Sequence, residues 1–193
     1  MFKNIVVLLA AVIFILQCSS REVSRIDANT QVDLSGRWND TDSRLVSEEM
    51  ISDALSRPWL SSFVDAKRQK PVVIVGLIHN KTHEIISTDT FIKDMEREFV
   101  NSGQVSVVQA AEEREQLREE RADQQEYASA ETVKRWRQEK GADFMLQGVV
   151  NSIVDGSGDN KVVFYQVDLE LTDLETNEKV WLGQKKIKKL IKK

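Results

Sequence analysis

Cys18 is the single cysteine of 193 residues and directly follows Gln17 and a run of twelve apolar residues, Ile5 to Leu16, preceded by one positive charge at Lys3. A bilayer span needs about 20 apolar residues, so this run suits the core of a signal peptide instead. A bacterial lipoprotein signal ends in this way, the cysteine taking the acyl chains, palmitate among them, as the first residue of the mature chain. Leu16 and Gln17 occupy the places where such a processing site usually has small residues. The other readings are an uncleaved anchor, for which the run is short, and a cleaved signal that leaves a spare thiol. Several acyl chains hold a protein on a membrane durably, whereas one does so marginally. Ser19, not aspartate, follows the cysteine, which by analogy with enteric bacteria favours the outer membrane, facing the periplasm. With Cys18 so used, the chain has neither an internal disulfide nor a cysteine metal site, and packing must supply its stability.

Two further constellations invite metal chemistry and fall short of it. His79 and His83 are four apart, which on a helix puts two imidazoles on one face as in zinc sites. Here they follow an apolar run, in "IHNKTHE", where Asn80, Lys81 and Thr82 favour a loop, and no third ligand is specified. Asp155, Ser157 and Asp159 match a fragment of a calcium loop without its remaining ligands or closing glutamate, so a hairpin turn explains them better. The chain has no G-x-S-x-G, no phosphate-cradling glycine loop and no G-x-G-x-x-G. The expectation is a protein that is not an enzyme, with no catalytic residue, cofactor, metal or small-molecule substrate.

The last constellation is cationic. Arg114, Arg118 and Arg121 share one face of a helical stretch at i, i+4 and i+7, while Glu112, Glu115 and Glu119 share another. A solvated helix with pairs such as Glu115 and Arg118 explains this sorting; a partner-binding face is the functional alternative. The C-terminus "GQKKIKKLIKK" has six lysines in its last nine residues. They suit the end of an edge strand, where lysine discourages edge-to-edge pairing, or else an approach to anionic lipid or an acidic partner.

The elements that must position these residues follow from local signals. Residues 1–17 are the signal peptide, 18–32 a lipidated N-terminus and flexible polar tether, and 33–193 one globular domain. "DLSGRWNDTDSR" at Asp33 to Arg44 is an ordered loop pinned by Trp38, and Asn39 to Asp42 cap a helix that runs to about Arg57 with Leu45, Val46, Met50, Ala54 and Leu55 near one face, until Pro58 stops it. "PVVIVGLI" at Pro71 to Ile78 is a central strand buried on both faces. Ser87 to Asp89 cap a helix that buries Phe91, Ile92, Met95 and Phe99 and ends at Gly103. A short strand at Val105 to Val108, an exposed helix from Ala110 to Tyr127 and a helical piece from Ala130 to Lys140 with Val133 and Trp136 inward come next. Three strands then form an antiparallel meander: "DFMLQGVVNSIV", the period-two run "KVVFYQVDLELTD", and a last strand containing Val180, Trp181 and Leu182. The fold class is α/β (α+β): a single small domain, a mixed sheet with a C-terminal antiparallel meander, flanked by helices. The balance of 27 basic and 31 acidic residues, net charge -4, gives no ground for a nucleic-acid partner.

Three segments together, "DLSGRWNDTDSR", "PVVIVGLIHNKTHE" and "GADFMLQGVVNSIV" with the alternating strand behind it, resemble the LpoB-type family of penicillin-binding-protein activator lipoproteins from about Asp33 to the end. The resemblance implies an α/β domain similar to the N-terminal domain of TolB, tethered to the outer membrane, that stimulates a bifunctional, class A penicillin-binding protein in peptidoglycan synthesis and so serves the cell wall and cell shape. The tether of about fourteen residues extends at most roughly 50 Å, far less than the long disordered reach of enteric members. The alternative class is a structural or secretion-associated lipoprotein, of the curli-secretion or flagellar accessory type, that acts by assembly.

Overall fold

The computed structural model describes residues 22–129 and 139–192. Cys18 and the expected helical piece with Val133 and Trp136 lie outside the described residues. The chain divides into two units, Met1–Thr30 and Gln31–Lys193. In the first, residues 22–30 are exposed and irregular, with a turn closed by Thr30 donating to the Asp27 carbonyl at 3.0 Å.

The second unit begins with the loop that leads into helix α1, Asp40–Leu55. Asn39 caps it as expected: its side chain accepts from the Asp42 amide at 3.1 Å while Asp42 accepts from the Asn39 amide at 3.0 Å, a reciprocal pair that satisfies two otherwise orphaned donors. Ile51 is buried and Leu45 is exposed, so the core stripe is rotated from the expected face to Val46, Met50, Ile51 and Ala54. Pro58 does more than end this helix. It starts α2, Pro58–Lys67, a helix the sequence reading did not contain, because proline at the first helical position forfeits no hydrogen bond. Trp59 anchors α2 by donating to the Ala54 carbonyl at 2.7 Å and meeting Phe144 edge-on at 5.0 Å.

Strand β1, Val72–Lys81, extends past the expected end at Ile78. It is followed by α3, Thr88–Ser102, β2, Ser106–Val108, α4, Ala111–Tyr127, β3, Phe144–Ser157, β4, Asn160–Asp173, and β5, Lys179–Lys192. The sheet order is β2-β1-β3-β4-β5, with β2 and β3 parallel to β1 and the last three strands antiparallel, the mixed sheet and meander read from the sequence. The turn expected over Asp155 to Asn160 tightens to two residues, Gly158 and Asp159, so β3 and β4 pair to the tip of the hairpin.

One face of this sheet carries the core. Val73, Val75, Phe144, Leu146, Val167, Leu169, Leu171 and Trp181 are buried beneath α1 and α3, whose Phe91, Met95 and Phe99 are fully enclosed. Burying one such phenylalanine stabilises by about 1.5–3 kcal/mol, so α3 is held chiefly by its apolar stripe. All of this core falls inside Gln31–Lys193, and residues 22–30 are exposed, so cutting the chain at 31 takes no described core residue away. The opposite, outer face of β3, β4 and β5 is polar or partly exposed along its length.

Candidate functional site

Two structures built on this frame bear on function: a buried polar lock at the base of the domain, and an outer surface.

The lock explains why the loop Asp33 to Arg44 is ordered. Trp38 meets Phe91 and Tyr165 edge-on, at 6.1 and 5.5 Å, and its indole donates to Ser43 at 2.8 Å. Its backbone amide donates to Glu84 at 3.1 Å, and the other oxygen of that carboxylate accepts from the Tyr165 hydroxyl at 2.7 Å. Burial first, and then the Glu84 carboxylate, hold the Tyr165 phenol well above its ordinary value. Gly36 is needed here twice over, by its φ of 68° and because a Cβ would come within 2.4 Å of the Ile191 side chain. Lys189 closes the loop from β5. Its ammonium donates to Asp33 and to Asp42, each at 2.6 Å, and to the Arg37 carbonyl at 3.0 Å. Burial pulls the Lys189 pKa down, but the two carboxylates outweigh it and hold it above the ordinary value; hydrogen bonding to Lys189 holds Asp33 low. Burial raises Asp42 against the pull of the same lysine.

The C-terminal lysines therefore divide by strand parity. Lys185 and Lys189 pair across with Val167 and Val163, so they face the core side, where Lys185 meets Glu49 of α1. Lys186, Lys188 and Lys192 point to the outer face, and β5 is the edge strand on which the sequence reading placed these lysines.

The histidines separate. His79 stands on β1 beside Val149, while His83 lies beyond the strand, its Nδ1 2.6 Å from the Ser152 hydroxyl and its Nε2 3.3 Å from Glu84. Among the described residues no group of three His, Cys, Asp or Glu side chains is placed to hold a metal ion. Asp155, Ser157 and Asp159 belong to the tight β3–β4 hairpin.

The arginine row lies on α4. Arg118 clamps Glu139 with two hydrogen bonds of 2.9 Å and also reaches Glu115, while Arg121 stands 3.4 Å from Glu139. Hydrogen bonding to Glu139 raises the Arg118 pKa, and the same clamp lowers that of Glu139. Arg114 instead lines a groove of about 1040 Å³ between α4, α3 and the outer side of β1 and β3. Its floor includes Ile74, Met145 and Val149; its walls carry Lys93, which is hydrogen-bonded to both Glu96 and Glu113. The groove was invisible to sequence reading because it is made by the bulge at Gly76 and Leu77, which turns Leu77 outward, and by the approach of α4. No serine, threonine or cysteine is among the described residues that line it; apolar floor and mixed-charge rim suit it to contact a side chain or backbone of another molecule.

The family model described as peptidoglycan-synthase activator LpoB matches residues 42–187. The chain belongs to the LpoB family. That span takes in most of α1, strands β1 to β4 and the first part of β5, with Glu84 and Tyr165 of the lock; Asp33, Trp38 and Lys189 lie outside it. Among solved structures, the LpoB C-terminal domain from Salmonella enterica is similar at 16% identity and a TM-score of 0.43, covering 76% of this chain and 98% of that one. The NMR structure of Escherichia coli LpoB is similar at 16% identity and a TM-score of 0.43, covering 92% of this chain and 87% of that one. Lipoprotein GNA1162 from Neisseria meningitidis is similar at 17% identity and a TM-score of 0.40, covering 62% and 83%. No curated protein matches the chain. Among the described residues no helix of this LpoB-family chain is long and apolar enough to cross a membrane.

Proposed function

We propose that this LpoB-family protein is a lipoprotein anchored through acylated Cys18 in the outer membrane, whose periplasmic domain binds a bifunctional, class A penicillin-binding protein and stimulates it. The observation that carries this reading is the family match over residues 42–187. The chain makes no bond itself; it docks on the synthase and favours the active conformation by binding that state more tightly. The polar tether of about fourteen residues reaches at most roughly 50 Å, so the synthase must extend outward to meet the domain or the envelope must be thin.

Arg114, Arg118 and Arg121 are one docking candidate, with Arg114 at the wall of the groove. Reversal of all three to glutamate should abolish synthase binding without unfolding the domain, and unchanged affinity would remove this face.

The deciding experiment measures glycan polymerisation and crosslinking by each class A synthase of the same organism, with and without residues 31–193. A saturable increase with one synthase is the expected result. No change and no binding with any of them would overturn the activator reading in favour of a role in assembly.

A further inference from the structure

β5 is an edge strand of 14 residues whose lysines are sorted by face. Lys185 and Lys189 are taken up by Glu49, Asp33 and Asp42 on the core side. Lys186, Lys188 and Lys192 lie on the outer side, opposite Gln166, Phe164 and Asn160 of β4, and all three are exposed. None of these three has a hydrogen bond or ion pair among the described residues. They are unspent positive charge on a protein whose net charge is -4.

Apolar side chains sit between them. Phe164 pairs with Ile153 on one side and with Lys188 on the other, and Val162 pairs with Leu190. Ile153 is 65% and Leu190 58% exposed. The acidic residues of this face are largely occupied: the Asp168 carboxylate accepts from Gln166 and Gln184, and Glu170 is bound by Lys179 and Gln147; Asp155 near the hairpin tip is the remaining one.

We infer that this outer face of β3–β5 is a docking surface for an acidic protein partner that offers an apolar side chain between its carboxylates. An apolar centre bordered by charge is the arrangement of a protein interface, where the centre supplies affinity and the complementary charges supply orientation and encounter rate. Recruitment of anionic lipid by a basic segment takes about four to eight clustered cations, more than the three exposed on this face among the described residues. The inference rests on the activator reading, and its partner is then the synthase; the groove beside Arg114 opens on the same side of the sheet.

The test compares residues 31–193 with the triple variant Lys186→Glu/Lys188→Glu/Lys192→Glu, and with Lys161→Glu, an exposed lysine of the same hairpin that pairs with Ile191 and faces the other side. Affinity for the stimulated synthase is read at two salt concentrations, beside co-sedimentation with vesicles of phosphatidylethanolamine and phosphatidylglycerol. The triple reversal should weaken synthase binding roughly tenfold or more and flatten its salt dependence, with Lys161→Glu unaffected. Should the reversal lower the unfolding midpoint, the triple glutamine variant replaces it, with a smaller loss expected. Synthase affinity within twofold of the unaltered domain would overturn the inference and leave the activator reading standing. Loss confined to vesicle binding would overturn it in favour of a membrane contact. Failure of the unaltered domain to bind any synthase would overturn the activator reading and this inference together.

Discussion

Lys189→Met tests whether the lock at the base of the domain is as strong as its burial implies. The Lys189 side chain is 10% exposed, and of its two carboxylate partners Asp42 is 8% and Asp33 38% exposed. The Asp33 pair is therefore screened and worth about 0–1 kcal/mol. Asp42 is different, because losing the ammonium strands a buried carboxylate in the first turn of α1. Breaking a buried pair from one side costs about 3–5 kcal/mol. Methionine preserves the packing of the lysine stem, and the Asn39 amide still donates to Asp42, so the lower end, about 3 kcal/mol, is expected. For a domain of this size that lowers Tm by roughly 6–12 °C. Asp42→Asn in the methionine background removes the stranded charge and should recover about 1–2 kcal/mol. The penalty should also shrink on acidification, since burial already raises Asp42 and, without Lys189, only the hydrogen bond from the Asn39 amide opposes that rise. Urea unfolding followed by tryptophan fluorescence measures both variants against the unaltered domain. A cost below about 1 kcal/mol for Lys189→Met, or no recovery with Asp42→Asn, would refute the account of a desolvated charge pair.

Gly148 sits opposite Leu169 at the middle of the sheet, and a Cβ there would come within 2.3 Å of the Asp168 carbonyl oxygen. Gly148→Ala should cost about 1–3 kcal/mol or more, because backbone must shift, whereas Gly141→Ala, which meets nothing within 4 Å, should be neutral in the same denaturation assay. Acid should destabilise the domain through Asp53 and Glu170, whose pKa values are lowered by hydrogen bonds first from Arg57 and Lys179 and then from Trp181 and Gln147. The folded state holds these protons less tightly than the unfolded one, so the stabilisation is present above their ordinary values of 3.8 and 4.5 and is lost as pH falls through the lowered ones. Asp53→Asn, less stable at pH 7, should lose less between pH 5 and pH 2 than the unaltered domain; an equal loss would rule out Asp53 as a contributor.

Most elements of the fold are legible because their signals are local. Asn39 and Asp42 cap within one turn, Gly103 ends α3, and the alternation from Val163 to Leu171 assigns one face of β4 to the core before any partner is known. The missed helix α2 shows the limit of a breaker rule: Pro58 ends one helix and begins the next, and the choice is made by Trp59 and Phe63 packing on Phe144, more than eighty residues away. The docking candidates were partly legible. Arginine spacing placed three guanidinium groups along α4, but the contact that occupies two of them comes from Glu139, beyond the segment that separates them.

What the sequence by itself determined is the inventory: an apolar run ahead of the single Cys18, a polar stretch after it, strands of defined parity, and none of the serine-nucleophile or glycine-loop motifs sought. Parity alone already divides the β5 lysines into two sets. Only the tertiary structure decided which set is buried, since that depends on α1 lying over β5 and bringing Asp42 and Glu49 to Lys189 and Lys185. It decided equally that Glu84 joins Trp38 to Tyr165, across separations of 46 and 81 residues. Such pairings are fixed by strand order and helix placement, which arise from burying all the apolar faces at once and leave no trace in any short window of sequence.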